Sequence, residues 1–146
     1  MRAVLQRVKE AWVRVEGREV ARIGPGWLVL VGVTHDDGPD QVAWLARKIA
    51  GLRGFPGNGS GFDRDVREVG GEVLLVSQFT LYGNPRKGRR PSFTAAAPPD
   101  QAAPLIDALA RALEAAGVSV QQGIFGAHME VGLVNDGPVT LIVETP

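Results

Sequence analysis

Three features of the sequence predict an α/β domain dominated by a largely antiparallel sheet, with two helices. Short runs of alternating or wholly apolar residues recur towards both ends of the chain. Two longer stretches repeat their apolar residues at helical spacing. Turns rich in Gly and Pro separate most of these segments.

Taken in order, Ala3–Val8 alternates and Ala11–Val15 alternates again, with Lys9-Glu10 as a tight turn between them. Gly17 interrupts the pattern and Glu19–Ile23 resumes it. Gly24-Pro25-Gly26 then turns the chain into Trp27–Val33, a continuous apolar run suited to a strand buried on both faces. Such closely spaced strands predict an antiparallel meander.

Asp37-Gly38-Pro39 opens a helix, with Pro near its first turn. Val42, Leu45, Ala46 and Ile49 form its buried stripe, and Gly51 or Gly54 ends it. Phe55–Gly61 is a glycine-rich loop, and Glu72–Gln78 is another apolar strand. Tyr82–Pro91 is polar and basic, hence an exposed loop. Pro98-Pro99-Asp100 starts the second helix, which buries Leu105, Ile106, Leu109 and Leu113 and stops at Gly117. Pro104 requires either a late start or a kink. Val118–Gln122, Met129–Val134 and Val139–Val143 are the closing strands.

The last two are joined through Asn135-Asp136-Gly137-Pro138-Val139-Thr140. Asn-Gly or Asp-Gly suits such a turn, but the following Pro138 removes a donor and restricts Gly137. These residues fit an ordinary turn, and they also fit a rigid piece of backbone that presents carbonyl oxygens.

At 146 residues the chain is expected to form one domain, residues 1–146, with its own core. It has no cysteine, which excludes disulfides and thiolate chemistry and suits a reducing compartment. Its first residues lack a signal-peptide core, and no apolar run is long enough for a membrane span, so a cytoplasmic protein is expected. Zero formal net charge argues against generic polyanion binding. The basic residues nevertheless cluster at Arg86, Lys87, Arg89 and Arg90. Arginine supplies 13 of the 16 basic residues, a bias that suits phosphate contacts and that a GC-rich genome also produces.

With only His35 and His128, the sequence offers no metal site, and no nucleotide-binding fingerprint or nucleophile elbow is present. His128 reads as a satisfied structural histidine. Ser77-Gln78-Phe79-Thr80 places three hydrogen-bonding side chains where a buried strand gives way to a loop. Such a strip can line a pocket, or its hydroxyls can satisfy loop backbone.

Ser77-Gln78-Phe79-Thr80-Leu81 together with Asn135-x-Gly137-Pro138-Val139-Thr140 resembles the D-aminoacyl-tRNA deacylase family. The likeness extends to Gln6-Arg7-Val8, Arg90-Pro91-Ser92-Phe93 and Gly123-x-Phe125-Gly126-Ala127, almost the full length. It implies a barrel-like fold, a homodimer, and an esterase that removes D-amino acids from the 3′ end of tRNA. By the resemblance, Gly137-Pro138 is cis, enters the partner's active site and excludes L-side chains with its carbonyl oxygens. Glycine has no side chain to exclude, so glycyl-tRNA is an expected substrate too.

Arg7 matches the position that braces this peptide; Ser77, Gln78, Phe79 and Thr80 match the strip beside the ester. Phe125, Ala127 and Met129 fall in the pocket, and Arg86, Lys87, Arg89 and Arg90 face the acceptor stem. No cofactor or metal is implied. Thr80 has no obvious base nearby, so the expected chemistry is substrate-assisted, with the terminal ribose hydroxyl activating water. Many relatives carry Gly-Lys-Met-Asn where this chain reads Gly61-Phe62-Asp63-Arg64, which leaves that loop's role open. Two other classes compete: a non-catalytic, dimeric RNA-binding module, and an ordinary hydrolase pairing Ser77 or Thr80 with His128.

Overall fold

A computed structural model describes all 146 residues. Six strands and two helices appear in the order β1 (Arg2–Val15), β2 (Arg18–Ile23), β3 (Gly26–Gly32), α1 (Pro39–Gly51), β4 (Glu72–Ser77), α2 (Pro99–Ala115), β5 (Ser119–Gln122) and β6 (Glu130–Glu144). One sheet contains every strand, in the order β2-β1-β3-β4-β5, with β6 on β1. β2 also lies against β4 and β5, so the sheet curls into a nearly closed, barrel-like shape.

The sheet is mixed rather than a meander. β1 runs antiparallel to β2, β3 and β6, whereas β3–β4 and β4–β5 are parallel. Each parallel pair is bridged by a helix, α1 or α2, as a parallel crossover requires.

Two segments expected to be turns are bulges within long strands. Lys9-Glu10 lies inside β1, where the pairing with β6 shifts between Val8 and Glu10. The shift moves the odd-numbered residues to the other face: Ala3 and Leu5 join one core, whereas Ala11 and Val13 join Val8 in the other. Asn135–Thr140 likewise does not fold β6 back on itself. Both halves pair with β1, Gln6 opposite Thr140 and Val8 opposite Asn135, and the residues between bulge from the ladder.

Each sheet face carries a core. The larger lies under the helices, joining Leu45, Ile49, Leu109 and Leu113 to Leu5, Val29, Val73 and Leu75. Trp27 is fully buried there, with its ring edge-on to Phe55 at 4.9 Å. Truncating it to Ala is expected to cost ~3–5 kcal/mol. The smaller core, inside the curl, gathers Val8, Val13, Ile23, Leu28, Leu74 and Val76. Trp27–Val33 and Glu72–Ser77 thus read as continuous apolar runs because both faces are covered.

Gly38 N–H donates to Gln41 Oε1 at 2.9 Å at the start of α1. α2 continues through Pro104, neither late nor interrupted. Pro104 and Asp100 are exposed, so water can serve the carbonyl that proline leaves unpaired.

Candidate ester site and backbone bulge

β4 ends at Ser77, not Gln78, and the chain enters a 3-10 turn, Phe79–Tyr82. Gln78 N–H still donates to the Val31 carbonyl at 2.8 Å, tying the turn to the end of β3. A pocket of about 530 Å³ opens here, and 13 of its 18 lining residues are hydrophobic, so it favours apolar surface. Ser77, Gln78 and Phe79 form one side, and Phe125, Ala127 and Met129, from the β5–β6 connection, form another. Thr80 is exposed beside it and accepts a hydrogen bond from the Gln78 amide.

Phe93, Ala96 and Ala97 supply a third wall. Their segment is fastened to the end of β3: Thr34 Oγ1 donates to the Ala95 carbonyl at 2.6 Å, and Ala97 N–H to the Val33 carbonyl at 2.9 Å. His35 Nε2 contacts the Thr94 carbonyl oxygen at 2.7 Å. Phe93 meets Phe79 edge to face, centroids 5.3 Å apart, so two exposed aromatic rings rim the pocket.

His128 corrects an expectation. Rather than being satisfied inside the structure, it is exposed and lines the pocket. It makes no hydrogen bond to Ser77, Thr80 or a carboxylate, so no triad is assembled. No group of three or more His, Cys, Asp or Glu side chains comes together as a metal site.

The bulge of β6 lies elsewhere. Asp136, Gly137, Pro138 and Val139 bulge out where β1 has only Arg7, whose row runs through Trp27 to Val73, whereas Ser77 lies four residues further along β4. That is about 13 Å along the strands and three strand spacings, about 14 Å, across the sheet. Gly137 and Pro138 are exposed, and the peptide joining them is cis.

Arg7, with its side chain mostly buried, donates from Nε to the Asp136 carbonyl at 3.0 Å and from Nη1 to the Gly54 carbonyl at 2.9 Å. The Asn135 amide closes the base: its Oδ1 accepts from Val139 N–H at 3.1 Å, and its Nδ2 donates to Thr140 Oγ1 at 3.0 Å. Gly137 has φ +136°, and a Cβ there would approach Val139 Cγ2 to 2.8 Å and Arg7 Nη2 to 3.2 Å. Sequence reasoning finds Arg7 but not the Asn135 brace, although an Asn ahead of a bend commonly bonds nearby backbone.

Arg86, Lys87, Arg89 and Arg90 are exposed and form no ion pair. Their loop is closed by Asn84 and Ser92, which exchange backbone hydrogen bonds of 2.7 and 2.9 Å, one residue before pocket-lining Phe93. In the divergent loop, Asp63 accepts hydrogen bonds from the N–H groups of Gly57, Gly59, Ser60 and Gly61. These donors, Gly57 first, hold its carboxyl below the usual range.

No helix is long and apolar enough to cross a membrane. The pocket is thus apolar, edged by the hydroxyl and amide groups of Ser77 and Gln78, and reached by a segment that follows an exposed basic loop. The sequence model of the D-Tyr-tRNA(Tyr) deacylase family matches residues 4–144, and the chain belongs to that family. It is 58% identical to a D-aminoacyl-tRNA deacylase of Exiguobacterium sibiricum, over 99% of both chains. A D-aminoacyl-tRNA deacylase of Thermomicrobium roseum is 54% identical over 99% of this chain and 94% of its own. The solved structure of a protein named c-Myc DNA Unwinding Element Binding Protein superposes with a TM-score of 0.93 at 37% identity, covering 100% of this chain and 99% of that one.

Proposed function

We propose that this protein hydrolyses the ester between a D-amino acid and the 3′ end of tRNA, that it accepts glycyl-tRNA, and that it rejects L-aminoacyl-tRNA. The observation that carries the reading is the Ser77–Thr80 strip at the mouth of an apolar pocket beside the basic loop. The terminal aminoacyl-nucleoside lies between the strip and the Phe125, Ala127 and Met129 wall, while Arg86, Lys87, Arg89 and Arg90 contact acceptor-stem phosphates.

The first N–H groups of the 3-10 turn, Phe79 and Thr80, have no carbonyl ahead of them within the turn. They hold the ester oxygen as negative charge develops. No base faces Thr80, and the adjacent ribose hydroxyl of the tRNA activates the attacking water.

Chirality is read by the carbonyl oxygens of the Gly137-Pro138 bulge, braced by Arg7 and Asn135. The separation of bulge and strip within one chain supports a homodimer in which the bulge of one protomer enters its partner's site. An L-side chain then meets fixed main chain, while the hydrogen of glycine or of a D-residue clears it.

A second reading, a non-catalytic nucleic-acid-binding module, draws on the same basic loop and on the name carried by the 37% identical structure. A third, with His128 as base to Ser77, draws on their shared pocket. D- and L-tyrosyl-tRNA separate the three. Cleavage of the D ester alone is expected; cleavage of both, abolished in His128→Ala, supports the histidine hydrolase, and cleavage of neither supports the binding module.

A further inference from the structure

Arg2, Gly32 and Glu144 form a row across three strands, since Arg2 pairs with Gly32 on β3 and with Glu144 on β6. The 3-10 turn Phe79–Tyr82 is seated against this row. A Cβ on Gly32 would stand 3.0 Å from the Gln78 carbonyl oxygen, 3.0 Å from Tyr82 Cδ2 and 3.2 Å from Leu81 Cβ. Gly32 does not have positive φ, so the need for glycine here is purely one of space.

Arg2 grips the turn from the side. Its Nη1 donates to the Leu81 carbonyl at 2.7 Å, and its guanidinium carbon lies 4.7 Å from the centre of the Tyr82 ring. Its Nε and Nη2 both donate to Glu144 Oε1, at 3.2 and 2.7 Å. A carboxylate on one strand thus fixes the guanidinium that holds the turn. Tyr82 is partly buried beneath it: burial, reinforced by Asp37, pushes its hydroxyl up to about 12.

We infer that Arg2 is a positioning residue for the ester site: with the turn seated on Gly32 and gripped by Arg2, Gln78, Phe79 and Thr80 are held in register with the pocket. The assignment rests on the proposed role of the Ser77–Thr80 strip. Arg2 itself is absent from the pocket lining and acts through the turn. Gly32 acts on the same turn from below, so two unrelated substitutions should produce one effect.

The test is single-turnover deacylation of D-tyrosyl-tRNA by excess protein, combined with amide hydrogen exchange, on Arg2→Ala, Arg2→Lys and Gly32→Ala. A displaced strip is expected to lower the saturating rate constant about 10- to 100-fold in Arg2→Ala, because sub-ångström placement governs such reactions. The protein concentration giving half-saturation stays unchanged, and exchange quickens at Gln78–Gly83 alone. Arg2→Lys, which keeps a cationic donor, recovers most of the rate, and Gly32→Ala reproduces the loss. A wild-type rate in Arg2→Ala, a loss confined to affinity, or exchange rising along all of β1 overturns the assignment. Failure of the wild-type protein to cleave the ester overturns the proposed function instead; the exchange pattern still reads the grip.

Discussion

The Ser77–Thr80 strip and the Gly137-Pro138 bulge illustrate two ways of fixing a short stretch of chain. The strip is continuous with a buried strand and rests on the sheet through Gln78 and Gly32. The bulge leaves a strand whose outer edge has no neighbour, and is held mainly by side chains, Arg7 from β1 and Asn135 from its own base. The strip therefore inherits its position from the core, while the bulge depends on a few polar contacts. Substitutions should accordingly separate rate from chirality.

The largest separation is expected for Arg7→Ala. It removes a charged donor from two carbonyls, Asp136 and Gly54, at a mostly buried site. A hydrogen bond to a charged group is worth ~1.5–3 kcal/mol, and if that stiffness is spent on rejection, D-over-L selectivity should fall about 10- to 100-fold. Cleavage of D-tyrosyl-tRNA should fall much less. Parallel loss of both activities would show that the bulge supports the fold and not the choice of substrate.

Thr80→Ala probes the opposite region. Under the proposed substrate-assisted chemistry, the rate should fall by less than the ~10²–10⁴ typical of a lost general base, and selectivity should hold. A drop beyond about 10³-fold with tRNA binding intact would give Thr80 a direct chemical role.

The same contrast explains what the sequence discloses. β3 and β4 are legible as strands because both of their faces are buried and the apolar signal is continuous. Their parallel pairing is encoded only in the strand–helix–strand order, which a search for short turns overlooks. The strip is legible too, since adjacent residues stay together in space. Lys9-Glu10 reads wrongly as a turn, and Asn135–Thr140 reads as either a turn or a rigid piece of backbone, because polar residues interrupting alternation mark a bulge as well as a hairpin. The seat at Gly32 is hidden, because it depends on residues far apart in sequence meeting across three strands.

A smaller effect concerns binding alone. Arg89 and Arg90 are exposed and unpaired, so Arg89→Gln with Arg90→Gln should weaken tRNA binding and flatten its salt dependence, by ~0.9 in slope for each phosphate no longer neutralised. Rate at saturation and selectivity should not move. An unchanged salt slope would remove this loop from the interface and leave the pocket as the whole of the binding surface.

The smallest expected effect asks how far the bracing of the bulge extends. Arg7 is anchored on Gly54, and the next residue, Phe55, pairs with Arg64 to close the loop that Asp63 organises. Asp63→Ala removes the acceptor shared by Gly57, Gly59, Ser60 and Gly61, and should loosen the loop around an otherwise intact Gly54. Acid should do the same. Because the folded carboxyl lies below its ordinary value of 3.8, its contribution is complete above that value and disappears as the pH falls through the folded one. Amide resonances of Gly57–Gly61 should therefore shift below pH 3.8 in the wild type, and already be shifted at neutral pH in Asp63→Ala. At neutral pH that variant should cleave the D ester at the wild-type rate and lose only a few-fold in selectivity, well short of Arg7→Ala. A loss as large as that of Arg7→Ala would make the Asp63 loop part of the brace; no loss would confine it to Arg7, Gly54 and Asn135.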